Sequence, residues 1–305
     1  MIDRLPFIEH QQAKLAFERL NSIVRLKGLG IMEASRATGK TRILEEFITH
    51  QLKGAAPDRT VLVTLQQTYR KTLLNEDSER IGSPITLWLF DQLHYILQRL
   101  SLPIHTGQKK LVQVPATRIH TERAFSVLYR KVFQEMQTQR TRVVVIDNAQ
   151  HLDAFALEWL LALRETLTPQ IAVIFCAQLQ PDEQSSHTLN LALSNVGAAS
   201  DSLVDRFQLA ELSFEDFSAK VFNPFLVALQ LQLTDTYNND PVQFIALVTT
   251  LWSWTMGNWV LLDRVGRLLL AEYADITPPY QLTPAVISRV ERTLKRITAK
   301  DPVLI

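Results

Sequence analysis

The sequence predicts an α/β protein with a doubly wound parallel sheet, followed by a smaller helical region. In the first two thirds of the 305-residue chain, short β-branched runs such as Val143–Ile146 alternate with segments of helical periodicity. From about Ser213 the strand-like runs stop, and only helical apolar spacing continues. We therefore expect an α/β domain over residues 1–212 and an all-helical domain over 213–305.

The predicted elements follow from the spacing of apolar residues and from turn residues between them. In the α/β domain we predict helices over 9–26, 41–52, 83–100, 118–136 and 153–167, and strands over 28–34, 59–67, 142–147 and 170–178. In the C-terminal domain we predict helices over 213–231, 241–255, 258–274 and 283–298. The strands are almost continuously apolar, which is typical of a parallel sheet covered on both faces.

A candidate phosphate-binding loop joins the first strand to the following helix, in the stretch GIMEASRATGKTRILEEF. Such a loop wraps backbone N–H groups around a phosphate at a helix N-terminus, with a lysine on the β- and γ-oxygens and a hydroxyl group on Mg²⁺. Lys40 and Thr41 supply these two side chains, although Ala34 stands where glycine normally begins the loop. The predicted nucleotide-binding residues are Ala34, Ser35, Arg36, Ala37, Thr38, Gly39, Lys40 and Thr41.

A second motif lies about 106 residues later, where the buried strand VVVID ends in Asp147. A carboxylate at that position can hold the water shell of Mg²⁺ opposite Thr41. The next residue is Asn148, where a glutamate usually orients the attacking water. An amide can position water but cannot accept its proton, so we expect nucleotide binding with slow hydrolysis.

Two further residues complete a predicted nucleotide-sensing set. Gln178 ends the strand IAVIFCAQ and is expected to place a polar side chain near the γ-phosphate. Arg206 lies near the start of a strand and is expected to reach the γ-phosphate of a neighbouring subunit, as arginine fingers do. The alternative for Arg206 is an ordinary surface arginine paired with Asp205 or Glu211.

Charge is unevenly distributed along a chain whose net charge is only +1. The segment 109–142 holds eight Lys and Arg against two Glu, and 289–300 holds five against one, so the remainder carries about −9. Such segregation favours a basic surface for a polyanion, although the solvent-facing side of a helix is an open alternative. The single cysteine, Cys176, and the absence of a long apolar run predict a cytoplasmic protein without a membrane anchor.

Taken in order, the segments ASRATGKT, VVVIDNAQHL, IAVIFCAQ, DRFQLAELSFEDF and TMGNWVLLDRVGRLLLAEYA resemble the TnsC/TniB-type AAA+ regulators of transposition, relatives of phage MuB. The resemblance implies a P-loop ATPase that assembles with ATP and Mg²⁺ into rings or filaments on double-stranded DNA. Its implied partners are a transposase and a target selector of the TniQ/TnsD kind, including those of CRISPR-associated transposons. It implies ATP and Mg²⁺ roles for Lys40, Thr41 and Asp147, a sensor role for Gln178 and a finger role for Arg206.

The chain departs from the family pattern at several positions besides Ala34 and Asn148. Leu261 lies where a second-sensor arginine would follow TMGN, and Arg264, one helical turn further on, is the candidate to substitute for it. Family members contact the DNA backbone from the segment before the Asp147 strand, which implies DNA contacts by Lys109, Lys110 and Arg118. Two other functions are open: an AAA+ ATPase of another system, such as secretion, or a scaffold that binds nucleotide without hydrolysing it.

Overall fold

The computed structural model describes residues 6–51, 59–65, 84–100, 122–152, 154–179, 204–274 and 276–300. The helices in these ranges are α1 (Gln11–Leu26), α2 (Lys40–Glu46), α3 (Pro84–Leu100), α4 (Glu122–Thr138), α5 (Ala154–Thr166), α6 (Phe214–Asp216), α7 (Phe222–Ala228), α8 (Asp235–Asn238), α9 (Pro241–Thr255), α10 (Trp259–Ala271) and α11 (Pro284–Lys300). The strands are β1 (Leu29–Ala34), β2 (Thr60–Thr64), β3 (Val143–Asp147), β4 (Ala172–Gln178), β5 (Val204–Leu209), β6 (Leu231–Leu233) and β7 (Tyr280–Leu282). A π-helical turn follows α2 (Phe47–Gln51) and another follows α6 (Phe217–Val221).

Five strands form the central sheet, in the order β2-β3-β4-β1-β5. The pairs β2–β3, β3–β4 and β4–β1 are parallel, as the apolar strand sequences predict. All five residues of β3 are buried. The predicted α/β fold with a doubly wound parallel sheet is therefore confirmed.

The register of the sheet places Asp147 and Gln178, two of the predicted site residues, at the carboxyl ends of adjacent strands. Asp147, at the end of β3, lies opposite Cys176 of β4, and Ala34, at the end of β1, lies opposite Gln178. These are the carboxyl ends of the strands, which is where ligands bind in open α/β sheets.

The chain divides into two compact units, each with its own apolar core. The α/β unit contains the described parts of 17–34 and 47–208. Its core surrounds the sheet and includes fully buried Phe90 and Phe175. The second unit contains the described parts of 1–16, 35–46 and 209–305, and its core includes fully buried Phe217, Phe222 and Phe225. The domain boundary between 212 and 213 stays a prediction.

The second unit is helical apart from one short sheet. Strands β6 and β7 pair in parallel, from Leu231 opposite Tyr280 to Leu233 opposite Leu282. The sequence analysis predicted only helices here, because a strand of three residues is too short to show a period of two. None of the helices in the described ranges is long and apolar enough to cross a membrane.

Candidate nucleotide-binding site

The loop between β1 and α2 is held together by its own side chains. Thr38 Oγ1 donates a hydrogen bond to the carbonyl oxygen of Ser35 over 2.9 Å. The Lys40 ammonium donates to the same oxygen over 2.7 Å, and this lysine is only 8% exposed. Thr38 and Lys40 thus fold back on the first residue of the loop, and α2 starts directly behind it at Lys40.

Two residues of the loop have left-handed backbone conformations. Gly39 has φ 82°, and Ala37 has φ 63°. The first is expected of glycine, whereas an alanine there carries a steric cost of about 1–2 kcal/mol. Ala34 is the last residue of β1 and is fully buried. The loop residue whose backbone would favour glycine is therefore Ala37 rather than Ala34, and the sequence analysis did not single out Ala37.

The first turn of α10 contacts the loop directly. The backbone N–H of Trp259 donates to the carbonyl oxygen of Ala37 over 3.0 Å. A Cβ atom on Gly39 would lie 3.5 Å from the Trp259 indole, so the ring covers this glycine. Asn258 caps α10, since its side-chain oxygen accepts from the N–H groups of Val260 and Leu261.

A cavity of about 240 Å³ opens beside the loop within the same unit. This volume is somewhat smaller than the range for small-molecule sites, about 300–1,000 Å³. Its walls come from the N-terminal segment, the loop with α2, and α10. The lining residues are Pro6, Phe7, Ile8, His10, Thr38, Gly39, Arg42, Ile43, Trp259, Val260, Leu262, Asp263 and Arg267.

Two aromatic rings stack at this cavity. The imidazole of His10 lies 4.6 Å from Trp259 between ring centroids, at an interplanar angle of 23°. Burial lowers the pKa of His10 to about 4, against a smaller opposing effect from Asp216. His10 is therefore neutral at pH 7, and the cavity presents a flat, uncharged aromatic surface next to the phosphate-binding loop.

In the α/β unit, Asp147 and Asn148 form a tight strand-end turn. Asp147 is fully buried, and its Oδ1 accepts from the backbone N–H of Asn148 over 2.9 Å. Asn148 is left-handed, with φ 58° and ψ 40°, a conformation that asparagine adopts more readily than most residues. Its side-chain amide donates to the carbonyl oxygen of Leu65, at the end of the neighbouring strand, over 3.0 Å. The asparagine therefore fits both the backbone and the neighbouring strand at this position.

A family model for an AAA domain matches residues 24–183, which is just over half of the chain. The chain belongs to the AAA domain family. No curated protein matches it. The five-stranded parallel sheet agrees with this assignment, and the chain therefore carries an AAA-type P-loop ATPase domain. Members of such a family typically bind ATP with Mg²⁺.

Gln178 is anchored at the strand end of the AAA domain by a residue that the sequence analysis missed. The side-chain oxygen of Gln150 accepts from the backbone N–H of Gln178 over 3.0 Å. Gln150 belongs to the 3₁₀ turn Ala149–His151 that follows Asn148. The ends of β3 and β4 are thus tied together, and the side chain of Gln178 is half-buried.

Arg206 of β5 forms an ion pair within the chain. Its guanidinium donates to Glu33 Oε1 over 2.9 Å, and the Glu33 side chain is only 6% exposed. The neighbouring Asp205 pairs with Arg19 over 3.0 Å instead. The Arg206 guanidinium therefore contacts a carboxylate other than the two that the sequence analysis weighed, and this residue, Glu33, directly precedes Ala34.

The remaining predicted positions lie partly outside the described residues. Lys109, Lys110 and Arg118, the predicted DNA contacts, are outside them. Leu261 and Arg264 lie on α10 and are both half-buried. Arg267, one turn beyond Arg264, lines the cavity beside the loop and pairs with Asp263 over 2.7 Å.

Proposed function

We propose that this AAA protein is an ATP-dependent, DNA-binding regulator of transposition. In this proposal it oligomerises on double-stranded DNA and links a TniQ/TnsD-like target selector to the transposase. The ordered set of motifs that resembles TnsC/TniB-type regulators supports the proposal, together with the basic segment 109–142. ATP binding is supported by the loop that contains Lys40, which α10 contacts through a hydrogen bond and which lies next to an aromatic cavity.

We propose roles for individual residues in ATP binding. Lys40 neutralises phosphate charge and Thr41 supplies a hydroxyl for Mg²⁺, while the buried carboxylate of Asp147 serves the same ion. Bound Mg²⁺ would supply charge neutralisation for the phosphates. The base is expected to enter the cavity and stack near Trp259 and His10, which present flat and uncharged faces.

Arg267 is the residue we propose in the place of the missing second-sensor arginine. It lines the cavity on the same helix as Leu261, two turns closer to the C-terminus of α10. Its ion pair with Asp263 orients the guanidinium, although the pair is partly exposed and adds little stability. Because Arg267 lines the proposed nucleotide cavity and Arg292 of α11 does not, replacement of Arg267 is expected to weaken nucleotide binding more than replacement of Arg292.

Slow hydrolysis is the part of the proposal that rests on Asn148. Its amide group is engaged with Leu65 and has no basic site for a proton, so water can be positioned but not deprotonated there. Its left-handed backbone adds a reason for asparagine, because a glutamate at φ 58° would carry strain. We therefore propose long-lived ATP-bound assemblies. Complete absence of turnover would favour the nucleotide-binding scaffold instead.

Mass photometry of the full chain with duplex DNA, with and without ATP and Mg²⁺, tests the assembly. We expect large species only with nucleotide, and we expect Lys40→Ala to abolish them because the loop loses the ammonium group that neutralises charge on the β- and γ-phosphates. Lys14→Ala is the matched control, since it removes an exposed lysine of α1. Equal assembly of the Lys40→Ala variant and the unmodified chain would overturn the proposal.

DNA binding is tested separately, through its dependence on salt. If Lys109, Lys110 and Arg118 contact phosphates, the triple alanine variant should lose about one unit of the slope of log K against log salt for each contact. Affinity should vary little with DNA sequence, because phosphate contacts carry no base information. An unchanged slope would exclude this segment and leave the basic residues of α11 as the next DNA-binding candidate.

A further inference from the structure

The end of β4 extends beyond the neighbouring strand β3. In the register of the sheet, β3 stops at Asp147, whereas β4 continues for two residues past the residue that pairs with Asp147 and ends at Gln178. The N–H groups of successive strand residues point to opposite sides, and that of Leu179 donates to the carbonyl oxygen of Ala34 in β1 over 2.9 Å. The N–H group of Gln178 therefore points to the side of β3, at a level where β3 has already ended.

The side chain of Gln150 takes the place of the next backbone carbonyl group of β3. The chain leaves the strand direction at Asn148, which is left-handed, and Gln150 lies in the turn that follows. Its Oε1 atom accepts from the N–H group of Gln178 over 3.0 Å. At the other end of the amide, Nε2 lies 3.4 Å from Nε2 of His151, which accepts from it when that ring nitrogen carries no proton. The two contacts fix the orientation of the Gln150 amide, and the hydrogen bond to Gln178 adds one rung to the β3–β4 ladder.

Gln150 thereby connects three parts of the candidate nucleotide site. It lies three residues after Asp147, the predicted Mg²⁺ carboxylate, and it contacts the backbone of Gln178, the predicted sensor. Directly after Gln178, the chain is bonded to Ala34, where the phosphate-binding loop begins. The end of β4 is therefore held from both sides, by Gln150 on the side of β3 and by Ala34 on the side of β1. Of these two hydrogen bonds, only the one to Gln150 depends on a side chain, so a substitution can remove it alone.

We propose that Gln150 is a positioning residue, which holds Gln178 where its side chain contacts the γ-phosphate of ATP. This inference rests on the proposed function and on the sensor role predicted for Gln178. A sensor that is held in place before the ligand arrives binds more tightly, because its ordering cost is then not part of binding. Without the acceptor of Gln150, the last residue of β4 is held on one side only, and its contact with the γ-phosphate weakens. ADP has no γ-phosphate, so its binding does not depend on Gln150.

Calorimetric titration of the full chain with a non-hydrolysable ATP analogue and, separately, with ADP tests this, at a constant concentration of free Mg²⁺. Gln150→Met retains a long side chain but removes the amide oxygen. It should weaken binding of the analogue by roughly fivefold or more, as expected for one lost hydrogen bond, and should change the affinity for ADP by less than about twofold. Gln150→Glu retains an acceptor oxygen and should recover most of the affinity for the analogue. Gln137→Ala, which removes an exposed glutamine of α4, is the matched control and should bind both nucleotides like the unmodified chain.

A double-mutant cycle with Gln178→Ala shows whether Gln150 acts through Gln178. If it does, the variant with both Gln150→Met and Gln178→Ala should bind the analogue as Gln178→Ala does, within about twofold, because the sensor side chain is already gone. Additive losses, an equal loss of ADP affinity in Gln150→Met, or an unchanged affinity for the analogue would overturn the proposal.

A second variant without the acceptor, Gln150→Ala, should give the same result, and it decides the question if circular dichroism shows that Gln150→Met does not fold. If the unmodified chain bound neither nucleotide, the proposed function would fail together with the role of Gln150. If the unmodified chain bound both nucleotides and the Gln150 variants did so equally well, only the role of Gln150 would be wrong.

Discussion

Protonation of His10 is predicted to destabilise the protein as the pH falls below about 6.5. Burial holds the pKa of His10 at about 4 in the folded chain, against 6.5 for an exposed histidine. Between these values the unfolded chain binds a proton that the folded chain does not, so stability is lost as the pH falls through this window. Linkage gives a loss of about 2 kcal/mol at pH 5 and about 3 kcal/mol once the pH is below 4.

The substitution that tests this is His10→Phe. Phenylalanine retains a flat ring to stack on Trp259 but cannot take up a proton. Denaturant unfolding, followed by far-ultraviolet circular dichroism at pH 7.5 and pH 5.0, should show a drop for the unmodified chain that exceeds the drop for the variant by about 2 kcal/mol. Carboxylates such as Asp216 titrate in both proteins, so their contribution largely cancels in this difference.

The control is His50→Gln, which removes an exposed histidine. It should show the same drop in stability between pH 7.5 and pH 5.0 as the unmodified chain, because the buried imidazole of His10 is still present. If His10→Phe loses as much stability between pH 7.5 and pH 5.0 as the unmodified chain, His10 is not buried in its neutral form. The uncharged aromatic wall proposed for the nucleotide base would then be wrong as well.

Three further substitutions address the loop and the strand ends. Asn148→Glu should raise ATP turnover by roughly 10²-fold or more, as general-base catalysis contributes roughly 10²–10⁴, and a phosphate-release assay should show no such gain for Asn148→Gln. Arg206→Ala should lower the free energy of unfolding by about 1–3 kcal/mol because it leaves the buried Glu33 carboxylate without this partner, and the double variant with Glu33→Gln should regain that stability. Light scattering of the double variant with ATP then tests whether Arg206 acts across a subunit interface. Ala37→Gly should raise the free energy of unfolding by about 1 kcal/mol, because glycine relieves the left-handed strain. Ala34→Gly, in the strand, should lower the free energy of unfolding by about 0.5–1 kcal/mol.

The central sheet could be predicted because its signals are local. A strand such as Val143–Asp147 is apolar throughout, and its burial in the sheet follows from that pattern alone. The positions of Lys40 at the start of α2 and of Asp147 at the end of β3 follow from local signals too, since each residue belongs to a short motif next to a recognisable strand; their roles in nucleotide binding stay predictions. In contrast, β6 and β7 pair over only three residues each, and their pairing depends on the tertiary fold.

The surroundings of the loop could not be predicted, because they come from distant parts of the chain. Trp259 lies 220 residues after Gly39, yet it packs against that glycine and donates a hydrogen bond to the loop. Glu33 and Arg206 are 173 residues apart and form an ion pair. Neither contact produces a periodic or compositional pattern in the sequence, so neither can be predicted without the tertiary structure.

The missing glycine illustrates how a motif identifies a loop without locating its strain. The pattern of residue types draws attention to Ala34, since glycine usually stands there. Its backbone is that of an ordinary strand residue, so a methyl group at this position carries no left-handed strain. The left-handed residue is Ala37, whose carbonyl oxygen also accepts the hydrogen bond from Trp259. The contact from α10 therefore offsets part of the strain at Ala37, which ties the shape of the phosphate-binding loop to the helix that lines the proposed base site.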